Sequence, residues 1–277
     1  MKPYFPEQAG GSSMLKKFRV AKQMEISSLI MLEQNGRIPP PITTPRPGFA
    51  KALLDSEEIA IIAEYKRASP SRGVINTGVT PAEAALAYAK ANANALSILT
   101  EEQYFQGDLK YLFEMRGRSF AGGLEHNLPL LRKDFIIHPL QVQMSAATPA
   151  SAILLIVRML EDNELGHLMS LACSHGLECV VEVFDQEDLE RAQKAGAAII
   201  QVNNRDLDTL EVDIKRSLNL SPRKRHGEIW ISASGIEKKA DLEFLNNAGF
   251  DAALIGSSLM ESENPGKELM KLRGYDV

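Results

Sequence analysis

Residues 152–157 read Ala-Ile-Leu-Leu-Ile-Val, an unbroken run of apolar side chains. A strand with one face in water alternates apolar and polar residues, so a run without alternation indicates a parallel strand that is covered on both faces. Similar runs, rich in β-branched or aliphatic residues, recur after residue 58. They are residues 59–64, 95–100, 128–132, 178–183, 198–202, 228–232 and 252–255. The sequence therefore predicts eight parallel strands.

Helix signals separate these runs. Thr80, Pro81 and Glu83 form a capping box with proline at the first helical position. Asp185 can cap the helical segment that carries Leu189 and Ala192. Eight such β-α units in about 220 residues match the α/β fold known as the (β/α)8 or TIM barrel. A doubly wound open sheet is the alternative, but it usually has fewer strands and often a glycine-rich turn after the first one. No Gly-x-Gly-x-x-Gly follows residues 59–64, so the barrel is favoured.

The segment before the first strand predicts a helical extension. Residues 1–13 end in Gly10-Gly11-Ser12-Ser13 and are expected to be a flexible leader. Residues 14–35 then repeat apolar side chains near helical spacing, which predicts an amphipathic helix that docks on the rest of the protein; the predicted docking residues are Leu15, Phe18, Met24, Leu29 and Leu32. A proline-rich segment follows, so we divide the chain into a leader (1–13), an extension (14–50) and a barrel (51–277).

Composition excludes several functional classes. Of the 277 residues, 44% are hydrophobic and 24% charged, with a formal net charge of -5. An acidic balance argues against a nucleic-acid-binding surface, and no apolar run approaches the roughly 18 residues that span a membrane. With only Cys173 and Cys179, a disulfide framework is not expected, and we predict a cytoplasmic protein.

Polar residues at the carboxyl ends of the strands are the candidates for chemistry, because barrel enzymes react at that end. Glu64 and Lys66 are two residues apart on the first strand and so share a face; they form either a structural ion pair or part of a site. Lys133 is either snorkelling to solvent or held in a cleft as an acid or electrophile. Glu182 lies within an apolar run, where a carboxylate is costly to bury unless it is paired. It is therefore either a general base or the partner of a lysine.

Gly-Ser pairs follow the last two strands. Ser234-Gly235 and Gly256-Ser257 are either ordinary turns or a phosphate site, since barrels often bind phosphate in the loops after these strands. Ser69, in the loop after the first strand, could add a hydroxyl. The five histidines show no spacing with cysteines or carboxylates that predicts a metal site.

Six motifs at these strand ends resemble the indole-3-glycerol phosphate synthase family of tryptophan biosynthesis. They are Ile62-Ala63-Glu64-Tyr65-Lys66-Arg67-Ala68-Ser69-Pro70-Ser71, Leu99-Thr100-Glu101-Glu102-Gln103-Tyr104-Phe105-Gln106-Gly107, Leu131-Arg132-Lys133-Asp134-Phe135-Ile136, Val181-Glu182-Val183, Val202-Asn203-Asn204-Arg205-Asp206-Leu207 and Leu254-Ile255-Gly256-Ser257-Ser258-Leu259-Met260. The resemblance covers residues 14–273 and includes the family's N-terminal helical extension.

The resemblance implies a cofactor-free carboxy-lyase without a metal. Its substrate would be 1-(2-carboxyphenylamino)-1-deoxyribulose 5-phosphate, converted to indole-3-glycerol phosphate with loss of carbon dioxide and water. Lys133 would be the general acid and Glu182 the general base, assisted by Lys66, Glu64 and Asn203. The other residues would bind substrate: Arg205, Ser234, Phe105, Phe135 and Leu154 around the anthranilate part, and Ser69, Lys66, Gly235, Gly256 and Ser257 around the phosphate.

One departure from the family pattern bears on activity. The family's seventh strand ends Glu-Ser-Gly, whereas this chain has Ala233-Ser234-Gly235. The alternatives to a working synthase are therefore a paralogue with altered specificity and one that has lost activity and only binds. As partners we expect a phosphorylated small molecule, no nucleic acid and no membrane, and the protein should be a monomer or weak homodimer. The related phosphoribosylanthranilate isomerase fits poorly, because the first strand carries Glu64 and Lys66 rather than a cysteine base.

Overall fold

The computed structural model of the protein describes residues 13–116 and 126–276. The predicted flexible leader lies outside the described residues, apart from Ser13. Within the described ranges, the helices are all too short or too polar to cross a lipid bilayer.

Eight parallel strands close into a barrel, which confirms the predicted fold. In chain order they are β1 (Ala60–Tyr65), β4 (Ala95–Leu99), β5 (Leu130–Lys133), β6 (Ala152–Ile156), β7 (Glu178–Val183), β8 (Ile199–Asn203), β9 (Ile229–Ala233) and β10 (Ala252–Ile255). Each strand pairs with its neighbours in sequence, and β1 closes the barrel by pairing with β10. A short antiparallel hairpin, β2 (Ala68–Ser69) with β3 (Gly73–Val74), was not predicted and lies in the loop after β1.

Helices follow the strands around the barrel. They are α1 (Met14–Gln34), α2 (Phe49–Leu54), α3 (Pro81–Lys90), α4 (Glu102–Phe105), α5 (Tyr111–Arg116), α6 (Pro139–Ala146), α7 (Asp162–Ser174), α8 (Gln186–Lys194), α9 (Lys215–Leu220), α10 (Lys239–Asn247), α11 (Ser257–Glu261) and α12 (Pro265–Leu272). The predicted capping box at Thr80 and Glu83 is present. Asp185 caps α8 by accepting a hydrogen bond from the backbone N–H of Asp188 at 3.0 Å.

Both faces of the strands are buried, as the unbroken apolar runs require. Ile62 points into the core inside the barrel, where it packs with side chains such as Leu154 and Ile231. Its neighbour Ile61 belongs to the second core, between the sheet and the helices. Both isoleucines have no exposed surface. Alternate residues of one strand therefore serve two cores, and the inner set leads up to the carboxyl rim.

Helix α1 confirms the predicted extension, but one of the five residues predicted to dock it is exposed. Phe18 and Leu29 are buried as predicted, whereas Met24 is 77% exposed. Lys22 takes its place among the buried positions and is only 4% exposed. Apolar spacing alone could not reveal this, because Lys22 is buried by an ionic contact to a residue far along the chain.

That contact fixes α1 on the end of β5. The Lys22 ammonium lies 2.5 Å from Asp134 Oδ1 and 2.5 Å from Glu25 Oε2, and Arg132 lies 2.9 Å from the other Asp134 oxygen. Burial alone would raise the pKa of the Asp134 carboxyl, but Lys22 and Arg132 outweigh it and hold that pKa below its usual range. The Phe18 ring also stacks on Phe135, with centroids 4.2 Å apart. The extension is thus held against the strand that carries Lys133.

Candidate active site

A cavity opens at the carboxyl ends of the strands. Most of the predicted site residues line it: Glu64, Lys66, Ser69, Phe105, Lys133, Asn203, Arg205, Ser234, Gly235, Gly256 and Ser257. The barrel therefore brings together residues that are up to about 190 positions apart in the chain.

Glu64 and Lys66 form an ion pair at one side of the cavity. The Lys66 ammonium lies 2.8 Å from Glu64 Oε1, and the Ser97 hydroxyl approaches the other oxygen at 3.4 Å. Glu64 is 3% exposed. Burial pushes the pKa of its carboxyl upward, but the attraction of Lys66 and Lys133 prevails and leaves that pKa below its ordinary value. Glu64 and Lys66 are therefore an ion pair in the cavity wall, and Glu64 is a carboxylate at neutral pH.

Lys133 on β5 and Glu182 on β7 form an ion pair, although β6 lies between their strands. The Lys133 ammonium at the end of β5 lies 3.8 Å from Glu182 Oε2. Glu182 is 3% exposed and lies in a small cleft that adjoins the main cavity, with Asn203 and Arg205 lining both spaces. Glu182 is thus the partner of a lysine, and that lysine faces the cavity.

Asn203 connects this pair to the loop after β9. Its Nδ2 donates to Glu182 Oε1 at 3.1 Å, while its Oδ1 accepts from the Ser234 hydroxyl at 3.0 Å and from the Arg205 backbone N–H at 3.0 Å. The next residue, Asn204, is fully buried and donates to the Ser234 carbonyl at 3.0 Å. The Asn-Asn doublet therefore ties the end of β8 to the end of β9.

Two glycines line the cavity at positions where a side chain would not fit. A Cβ atom on Gly256 would overlap the Glu64 carboxylate. Gly235 has a φ of +77°, and a Cβ there would lie 2.6 Å from Val212 Cγ1. Ser257, the residue after Gly256, and Ser69 also line the cavity. This part of the cavity is therefore formed by backbone and hydroxyl groups with little side-chain bulk.

The three apolar residues predicted to surround the aromatic part of the substrate lie at different distances from the cavity. Phe105 lines the cavity, and Phe135 does not, because its ring lies behind Phe18 and 6.1 Å from Phe105. Leu154 is 1% exposed and packs in the core inside the barrel, beneath the cavity. Phe135 and Leu154 thus support the wall from behind.

Sequence analysis assigned no role in the site to several residues of the cavity wall, among them Phe18 and Arg72. Phe18 reaches it from α1, and Arg72 reaches it from the hairpin, where it forms ion pairs with Glu261 and, at 4.0 Å, with Glu237. The only available signal for Arg72 was its place in the loop after the first strand. Within the described residues, no group of three or more histidines, cysteines and acidic residues could hold a metal ion.

The close approach of Gly256 to Glu64 predicts the effect of a single methyl group. We expect Gly256→Ala to lower the free energy of unfolding by about 1–3 kcal/mol, because the new Cβ must displace a buried, paired carboxylate. Gly166→Ala is the matched control, since nothing lies within 4 Å of a Cβ at that helical position. It should be neutral or stabilise the protein by up to about 1 kcal/mol. Urea unfolding measures both, and equal stability of Gly256→Ala and wild type would refute the contact.

Comparison with known proteins adds independent evidence. The family described as indole-3-glycerol phosphate synthase has a model that matches residues 14–272. Proteins with that name from Acetivibrio thermocellus and Aquifex aeolicus are 41% and 45% identical to this chain. The alignments cover 82% of this chain in both cases, and 87% and 86% of the respective relatives.

Solved structures support the architecture alone. Thiamine phosphate pyrophosphorylase from Pyrococcus furiosus has a TM-score of 0.58 at 14% identity, covering 78% of this chain and 94% of that one. For 3-hexulose-6-phosphate synthase from Salmonella typhimurium the TM-score is 0.59 at 12% identity, with 78% and 97% covered. Because the family match extends over almost the whole described barrel and its helical extension, the chain belongs to the indole-3-glycerol phosphate synthase family.

Proposed function

We propose that the protein is an indole-3-glycerol phosphate synthase. It closes the indole ring of 1-(2-carboxyphenylamino)-1-deoxyribulose 5-phosphate and releases carbon dioxide and water. The observation that carries this proposal is the placement of the Lys133 ammonium 3.8 Å from the Glu182 carboxylate. Gly235 and Gly256 lie at the same rim of the barrel. An acid and a base thus stand together beside a space suited to a phosphorylated ligand.

Lys133 acts as the general acid. When the aromatic carbon attacks the ketone of the open-chain sugar, negative charge develops on the ketone oxygen, and the ammonium stabilises and protonates it. Lys133 is held by the strand end, and its neighbours Arg132 and Asp134 are fixed by the α1 contacts. The ammonium is therefore supported on a rigid element, as acid catalysis requires.

Glu182 acts as the general base in the dehydration that makes the ring aromatic. Its two carboxylate oxygens accept hydrogen bonds from the Gln201 and Asn203 amides, which fix the orientation of the base. Lys66 assists from the other side and also reaches the phosphate, while Glu64 keeps Lys66 in place. Asn203 links the base to Ser234 and Arg205, which orient the anthranilate part together with Phe105.

The phosphate binds where serine hydroxyl groups and two glycines line the cavity. Ser69 and Ser257 offer hydroxyl groups there, and Gly235 and Gly256 leave the backbone accessible to a bulky anion. Lys66 supplies positive charge from the end of β1.

The cytoplasm stays our predicted location, in keeping with two free cysteines, Cys173 and Cys179. The monomeric or weakly dimeric state also stays a prediction.

The proposed reaction is tested by the fluorescence of the indole product with purified protein and the authentic substrate. We expect saturable turnover, and we expect Lys133→Ala to lower kcat by at least about 100-fold, because the general acid is lost. Lys16→Ala is the control, since this exposed lysine on α1 lies away from the cavity. Turnover of Lys133→Ala within a few-fold of wild type would contradict the assigned role. Binding of the substrate without turnover by wild type would favour the paralogue with lost activity.

Because Ala233 replaces a glutamate of the family pattern, we expect this synthase to have a lower kcat/KM than the same barrel with that glutamate. The residue is 3% exposed, lines the cavity and stands opposite Asn203 in the sheet, where the family pattern has a glutamate. Restoring that carboxylate with Ala233→Glu should recover about 2–4 kcal/mol of substrate and transition-state binding, or roughly 30- to 1,000-fold in kcat/KM. Ala233→Gln is the matched variant without charge and should gain much less. An unchanged or lower rate for Ala233→Glu would show that this chain has no use for the carboxylate.

A further inference from the structure

Gln201 is two residues before Asn203 on β8, so the two side chains lie on the same face of the strand, inside the barrel. Its side chain has no exposed surface, and its Nε2 donates to Glu182 Oε2 at 2.5 Å. A carboxylate only accepts hydrogen bonds, so the amide nitrogen must be the atom that faces it. Among the described residues, the other amide atom, Oε1, has no hydrogen-bond partner.

This arrangement is costly unless it serves a purpose. A buried polar atom without a partner destabilises a protein, and an apolar side chain of similar size could occupy this position, which pairs with Ile231 in the neighbouring strand. The amide instead directs its one hydrogen bond to the proposed base. The benefit of Gln201 therefore has to be sought in Glu182.

Gln201 and Lys133 approach the same oxygen of Glu182. The amide nitrogen is 2.5 Å from Oε2, whereas the Lys133 ammonium stays 3.8 Å from it. Asn203 donates to the other oxygen, Oε1, at 3.1 Å. Two amides on one face of β8 thus hold both oxygens, and the closest position at Oε2 is taken by a neutral donor.

We propose that Gln201 is a positioning residue that holds the Glu182 carboxylate for dehydration and keeps it from closing onto the Lys133 ammonium. A direct Lys133–Glu182 contact would neutralise the acid and the base against each other. With Gln201 in place, Lys133 faces the substrate ketone and Glu182 stays oriented for the later proton transfer. This inference rests on the proposed synthase function.

The proposal makes the two halves of the reaction separable. Ring closure expels carbon dioxide before water is lost, and only the second half needs Glu182 as base. In Gln201→Met, which keeps the volume and removes the donor, carbon dioxide release in a single turnover should stay within about three-fold of wild type. Formation of the fluorescent indole should slow by about 10-fold or more, because small misplacements of a catalytic group are costly. In the steady state, kcat should fall while KM changes by less than about two-fold.

Matched variants guard against a merely structural effect. Ser151→Ala removes another buried oxygen that has no partner among the described residues, at the amino end of β6, and should leave both rates unchanged. Gln201→Asn keeps an amide but shortens its reach, and it should separate the two rates as Gln201→Met does; it also serves as the test should Gln201→Met fail to fold. Circular dichroism and thermal melting establish that each variant is folded.

The outcomes distinguish this proposal from the function on which it rests. If wild type converts the substrate and both Gln201 variants form indole as fast as they release carbon dioxide, the positioning role is wrong. The role is also wrong if both rates fall by the same factor. If wild type releases neither carbon dioxide nor indole from the substrate, the synthase function itself fails, whatever the Gln201 variants do.

Discussion

Two carboxylates buried inside an apolar barrel impose the constraint on which the site depends. Glu64 and Glu182 are each 3% exposed, and a carboxylate in such a place is tolerated only when charges and donors surround it. Lys66 meets this need for Glu64, and Lys133 with two amides meets it for Glu182. The lysines that make burial possible are also the cations that face the cavity. Stability and chemistry therefore require the same contacts.

The extension before the barrel contributes to that arrangement from outside. The Lys22 contact to Asp134 anchors α1 on the end of β5, and Phe18 becomes part of the cavity wall. The residues on either side of Lys133 are thereby fixed, while the lysine itself is left facing the cavity. Helix α1 and strand β5 thus act as one support for the proposed acid.

The sequence revealed those features that depend on short-range patterns. Unbroken apolar runs located all eight barrel strands, and the local residue pattern located the caps at Thr80 and Asp185. The polar residues that end the runs gave most of the polar side chains that line the cavity, because parallel strands bring their carboxyl ends to one rim. Their roles in catalysis and binding remain proposals.

Features that depend on distant partners were not readable. Helical spacing placed Met24 in the docking face of α1, but Lys22 occupies a buried position there because its ammonium meets Asp134. Gln201 gave no signal within its strand, since a glutamine in an apolar run acquires meaning only when Glu182 is found beside it. Tertiary charge pairing decides such positions, and a single sequence does not show which residues pair.

The central claim is that Lys133 and Glu182 act on one ligand whose phosphate lies at the glycine side of the cavity. A crystal structure with bound indole-3-glycerol phosphate tests this most directly. The account predicts the phosphate beside Ser69, Gly235, Gly256 and Ser257, with the Lys133 ammonium and the Glu182 carboxylate both within hydrogen-bonding reach of the ligand, directly or through one water molecule. A phosphate bound elsewhere, or a ligand that only one of the two side chains can reach, would contradict it.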